Sequence, residues 1–188
     1  IRSMLNLRSN KDINTNNQGA DRGGQEQGPR SVPRVFSLQK LVEVADFNMY
    51  SRPRIAWTNM WTVLAQHFTT VGLFDNQNLA MFAIDSLRQL GIKFLMKEEL
   101  SNFNFQIVFL SPFEIIISNV RESSIKDLIL SCIDNMILAC SNNIRSGWRS
   151  IFAICESVAR DTDVSVAEFA FQIVERLIEK KFDLLVYD

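Results

Sequence analysis

Two short constellations hold the residue types that recognise partners. Arg54 stands three residues before Trp57, and Arg145 stands three before Trp148, with Arg149 next to it. A planar cation and a large amphipathic ring give much contact at low entropic cost, so Arg and Trp dominate interface hot spots. Arg54, Trp57, Arg145, Trp148 and Arg149 are therefore the candidate partner-binding residues. The structural alternative is simpler. Each tryptophan fills space between helices, and each arginine stacks on it or satisfies carbonyls that end the preceding helix.

Residues for catalysis or metal binding are sparse. His67 is the one histidine of the chain. General acid–base work needs a nucleophile or carboxylate brought to it, whereas a helix-end imidazole favoured by the dipole needs nothing further. Cys132, Cys140 and Cys155 form no C-x-x-C pair, and one histidine cannot complete a tetrahedral zinc site with them. Their apolar surroundings predict buried free thiols in a reducing compartment. Asp161, Asp163 and Glu168 lack the glycine and bidentate glutamate of a calcium loop and read as a capping turn. Glu98-Glu99 reads as a solvated acidic step between helices. There is no P-loop, no G-x-S-x-G elbow and no paired-carboxylate motif, and the glycine-rich residues 19–28 lack the strand-then-helix context of a phosphate loop. No catalytic site, cofactor or metal is expected.

The elements that hold these residues are helical. Ile125, Leu128, Ile129, Cys132, Ile133, Met136, Ile137 and Cys140 step by three and four, which places them on one helix face. Ser123 and Ser124 are suited to cap that helix. Val166, Phe169, Ala170, Ile173, Val174, Leu177 and Ile178 repeat the pattern. Asp163 or Ser165 would cap its start, and Lys180 and Lys181 would suit its negative end. Trp57, Met60, Trp61, Leu64, Ala65, Phe68 and Val71 make a third, opened by Ser51 with Pro53 near the first turn. Further helices are expected at about 35–50, 77–97 and 145–160. Residues 105–119 are open between two buried strands and a helix kinked at Pro112.

Seven helices with short links imply antiparallel neighbours. Taken in pairs, the first helices begin near residues 35, 77, 124 and 164, a spacing typical of HEAT and armadillo arrays. Arg54, Trp57, Met60 and Trp61 are echoed by Arg145, Trp148, Ile151 and Phe152 at one offset, two repeats long. Ala80-Met81-Phe82-Ala83 is echoed by Ala167-Glu168-Phe169-Ala170. The expected fold is all-α, an armadillo/HEAT-like solenoid of about seven paired helices.

Residues 1–33 differ from the rest. They are rich in Asn, Gln, Gly and Arg, with too little apolar surface to offset chain ordering, and read as a flexible linker. Met4, Leu5 and Leu7 could dock as a short turn. The helical-repeat domain would be residues 34–188. Ile1 in place of methionine, and Asp188 soon after a strong helical pattern, are expected of a piece of a longer protein. The 188 residues carry 20 Lys and Arg against 21 Asp and Glu, a net charge of -1, without the basic excess that phosphate contacts require. A nucleic-acid partner is thus disfavoured at the level of the whole chain, and none is expected. Neither a membrane span nor a signal peptide is expected from the sequence.

Asn143-Ile144-Arg145-Ser146-Gly147-Trp148-Arg149-Ser150-Ile151-Phe152 resembles a signature of the large brefeldin-sensitive Arf guanine-nucleotide exchange factors, the Sec-seven family of the trans-Golgi. So do Asp85-Ser86-Leu87-Arg88-Gln89-Leu90, Lys93-Phe94-Leu95, Glu99-Leu100 with Asn102-Phe103, and Phe105-Gln106. Leu110, Pro112, Phe113 and Glu114 continue the match, and Leu41-Val42-Glu43 with Asn48-Met49 begins it. The resemblance runs over about residues 35–182, roughly four fifths of the chain. It departs at Arg52-Pro53-Arg54, where a proline sits inside the basic turn.

The resemblance implies the first homology region downstream of the catalytic exchange domain, a non-catalytic armadillo-like piece that controls that domain. The implied partners are an Arf-family small GTPase in its GTP-loaded state, the exchange domain itself by intramolecular contact, and a membrane reached peripherally through the full protein. The implied location is cytoplasmic, at Golgi and trans-Golgi membranes in vesicle transport. Residues 1–33 would lead from the exchange domain. The rival reading is a generic helical-repeat adaptor that binds peptide or coat partners on its concave face.

Overall fold

The computed structural model describes residues 34–99 and 103–186, with side chains through residue 180. The expected linker over 1–33, with Met4, Leu5 and Leu7, lies outside the described residues, as do Leu100 and Asn102 of the family motif.

Among the described residues the chain forms seven α-helices and no strand: α1 (Val35–Ser51), α2 (Arg54–Gly72), α3 (Gln77–Leu95), α4 (Phe105–Asn119), α5 (Ser123–Cys140), α6 (Gly147–Val158) and α7 (Val164–Val186). A 3-10 turn, Ser141–Asn143, joins α5 to α6. Helices α1, α3, α5 and α7 pack in succession as one layer, and α2, α4 and α6 as a second. The fold is all-α and solenoid-like, as expected. Both sequence echoes join helices of one layer, α2 with α6 and α3 with α7.

The repeat is also visible in the bonds between successive pairs. Asn143 Nδ2 donates to the Met96 carbonyl, Ser146 N–H to Glu99 and Gln77 Nε2 to Ser124 Oγ, and each spans 47 residues. The Lys93–Asp46 ion pair has the same span.

The apolar face of each helix becomes core. Leu38, Phe68, Leu87, Phe109, Phe113, Ile133 and Ile151 are among its fully buried members. Phe109 lies between Trp61 of α2, stacked at 4.0 Å and 12°, and Phe94 of α3, stacked at 4.3 Å and 7°. Residues 105–119 are one helix, with Pro112 inside it. Proline offers no N–H, so the Val108 carbonyl one turn back loses its helical partner. Trp61 Nε1 at 3.3 Å and Ser111 Oγ at 2.9 Å donate to it instead.

Several expected caps act differently. Ser51 closes α1, donating to the Phe47 carbonyl, and does not open α2. Pro53 disfavours helical backbone at Arg52, which is extended, so α1 ends and α2 begins across two residues. Ser123 and Ser124 lie inside α5, whose N-cap is Glu122 without a side-chain bond. Asp163 does cap α7, Oδ1 accepting from Ser165 N–H at 3.1 Å and its hydroxyl at 2.7 Å. Helix α7 runs on past Lys180, which therefore does not end it.

Candidate functional site

The residues singled out in the sequence gather along one edge, where first-layer helices end and second-layer helices begin. Trp57 and Trp148 are 4% and 5% exposed and belong to the core, as the structural reading expects. Arg54, Arg145 and Arg149 are exposed. Arg54 Nη2 donates to the Glu98 carbonyl at 3.1 Å, after the end of α3, and not to the preceding helix.

Two residues missed as functional organise this edge. Gln106, 1% exposed near the start of α4, accepts through Oε1 from Arg145 N–H at 2.8 Å and Gly147 N–H at 3.1 Å. Its Nε2 donates to the Asn143 carbonyl at 2.8 Å. One amide thus satisfies main-chain groups at the 3-10 turn and the free N-terminus of α6. Glu99 is not a solvated step. Its carboxylate accepts from Gln106 N–H at 2.9 Å, Ser146 N–H at 2.9 Å and Ser146 Oγ at 2.8 Å. Gly147 is needed for closeness, since a Cβ there would stand 3.0 Å from Gln106 Oε1 and 3.2 Å from its Cβ. Glu99, Gln106 and the segment from Asn143 to Trp148, separate in sequence, form one joint between two repeats.

Next to this joint is a cavity of about 280 Å³. Met49, Trp57, Phe94 and Phe105 form its apolar wall, and Arg52, Arg54, Lys97 and Glu98 stand around it. Lys97 Nζ donates to the Met49 carbonyl at 2.5 Å and lies 4.0 Å from the centre of the Tyr50 ring. Burial and the neighbouring Arg54 guanidinium hold its ammonium below the usual lysine value.

The remaining titratable residues have structural places. His67 is exposed within α2, its ring 6.3 Å edge-on to Phe68. Cys132, Cys140 and Cys155 are buried free thiols. Burial pushes Cys132 up to about 12 and Cys155 up to about 11. Asp161 pairs with Lys126 at 2.5 Å and accepts from Asp163 N–H at 3.0 Å, and these bonds hold its carboxyl below the usual value. Among the described residues no group of three His, Cys, Asp or Glu could hold a metal ion, and no helix is long and apolar enough to cross a membrane.

Residues 93–176 match the family model described as Mon2/Sec7/BIG1-like, HDS. The chain is 47% identical over 154 residues to the brefeldin A-inhibited guanine nucleotide-exchange protein 1 of Homo sapiens, covering 80% of this chain. It is 43% identical over 152 residues, or 81% of its length, to protein 2 of that name from Arabidopsis thaliana. The chain spans 8% of the length of each of these relatives.

Proposed function

We propose, from the match of residues 93–176 to the family model described as Mon2/Sec7/BIG1-like, HDS, that the chain is a regulatory, non-catalytic segment of an Arf guanine-nucleotide exchange factor acting in Golgi vesicle transport. Residues 1–33 would be the linker from an upstream exchange domain, and residues 34–188 the regulatory domain. The carrying observation is the use made of the family motifs. Glu99, Gln106 and Asn143 to Gly147 are spent on joining helix pairs, which is the work of a scaffold.

The mechanism is a population shift. GTP-loaded Arf at the membrane, or the exchange domain itself, binds one arrangement of the full protein better than another. The difference in those affinities sets how often the exchange domain is free. Arg54, Arg145 and Arg149 are the surface contacts in this reading, with Trp57 and Trp148 holding their helices beneath them. Access to the membrane would be peripheral and cytoplasmic.

Titrating the purified chain against Arf on liposomes, loaded with GTP or with GDP, tests the reading. Preferential binding of the GTP form is expected, and R145A with R149A should weaken it. Equal and negligible binding in both states would remove direct recognition of active Arf.

A further inference from the structure

The cavity between the α1–α2 turn and the end of α3 holds more positive charge than the fold uses. Arg52 Nε donates to Asn48 Oδ1 at 3.1 Å, Arg54 to the Glu98 carbonyl, and Lys97 to the Met49 carbonyl. All three acceptors are neutral. Among the described residues the ion pairs join other groups, Lys40–Glu43, Arg88–Asp85, Lys93–Asp46, Lys126–Asp161 and Arg176–Asp134, and none includes Arg52, Arg54 or Lys97. Each cation keeps further N–H donors, because a guanidinium has five and an ammonium three. Glu98 stands at the mouth without pairing to them, and the Glu99 carboxylate is taken up by Gln106 and Ser146. The mouth is left net positive.

Two further features bear on the ligand. Helix α2 opens beside the cavity at Pro53, with no side-chain cap and no acidic residue in its first turn, so its positive end adds to the field. The inner wall is apolar, from Trp57, Phe94, Phe105 and Met49. A site for a bare phosphate would surround the anion with main-chain N–H groups and hydroxyls. This cavity instead offers cations at the rim and rings within, and about 280 Å³ holds one or two side chains.

We propose that the cavity anchors an acidic peptide segment of a partner protein, with an Asp or Glu carboxylate held by Arg52, Arg54 and Lys97 and an adjacent aromatic or aliphatic side chain on the Trp57, Phe94 and Phe105 wall. The inference shares Arg54 with the Arf reading but does not rest on it, and its assay contains no Arf. A bound carboxylate would also relieve the repulsion between Arg54 and Lys97.

The probe is a fluorescein-labelled peptide, Glu-Asp-Leu-Phe-Asp, titrated into the full chain and followed by anisotropy. The controls are its amide twin, Gln-Asn-Leu-Phe-Asn, and inorganic phosphate and vesicles of phosphatidylserine with phosphatidylcholine as competitors. The acidic peptide should bind and the amide twin should not. K97Q and R52Q should each weaken binding roughly tenfold, and R160Q, at the far edge, should leave it unchanged. Both pocket substitutions remove side chains bonded to neutral groups, and unchanged circular dichroism would show that the variants remain folded. Should K97Q unfold, R52Q gives the same reading alone. Absence of peptide binding would overturn the proposal. So would equal binding of the amide twin, variants that bind like the parent chain, or binding of phosphate or vesicles with indifference to the peptide.

Discussion

At the scale of single residues, Gln106 and Glu99 matter most. A buried amide that serves two N–H donors and one carbonyl cannot be removed without leaving main-chain groups unpaired. Gln106→Leu keeps most of the volume and loses all three bonds, so it should destabilise the chain by about 3 kcal/mol. Urea unfolding followed by circular dichroism measures this. The cysteines give a second prediction. With Cys132 near 12 and Cys155 near 11, both thiols stay protonated at neutral pH. Iodoacetamide should modify them only as fast as the chain opens, and fully in denaturant. Mass spectrometry of the tryptic peptides reads the rates. The buried thiols were legible from their apolar neighbours in sequence. Gln106 and Glu99 were not, because their partners, main-chain atoms and the Ser146 hydroxyl, lie up to 47 residues away, and spacing along one helix carries no trace of them. Their presence in the motif shared with the exchange factors was the one available signal.

At the scale of elements, helix periodicity was readable because each helix buries one face. Helix α4 was ambiguous, since its run of Ile and Phe also suits a strand, and the deciding group lies elsewhere. The Trp61 indole and the Ser111 hydroxyl share the carbonyl that Pro112 leaves open, so Trp61 and Pro112 should be coupled. Trp61→Phe should cost more in the parent chain than in a Pro112→Ala background, where the main-chain N–H restored by the substitution replaces the lost donor. A coupling of about 1 kcal/mol is expected from a double-mutant cycle. Additive effects would remove this account of how α4 tolerates its proline. Gly147→Ala should destabilise by about 1–3 kcal/mol, because Gln106 is pinned by its bonds and cannot yield to the added methyl. Thermal unfolding checks it. The serine caps were misjudged for a related reason. Ser51 closes α1 and stands next to a residue that Pro53 makes extended, and Ser124 bonds to Gln77 of another pair, so neither caps the helix start expected of it.

At the scale of the whole molecule, cross-repeat bonds at both edges tie the array together. On the far edge Lys126 of α5 holds Asp161 in the link between α6 and α7, lowering its carboxyl from the usual 3.8. A carboxyl whose value is lowered by folding adds stability above the ordinary value and loses it as pH falls through the lowered one. Lys126→Met should therefore flatten the acid limb of a pH–stability curve while lowering the plateau above it. The two-layer arrangement was legible because the helix spacing and the Arg–Trp echo share one period. The cavity beside the joint was not, since Met49, Trp57, Phe94 and Lys97 meet there only after α1, α2 and α3 pack. The most direct test of the regulatory reading is the rate of labelled GDP release from Arf on liposomes. It would be measured with the chain alone, with a brefeldin A-inhibited exchange domain alone, and with the two joined in their natural order. The chain alone should release nothing above the blank, and the joined protein should differ in rate from the bare domain and respond to added GTP-loaded Arf. Release by the chain alone, or identical rates with and without it, would contradict the account.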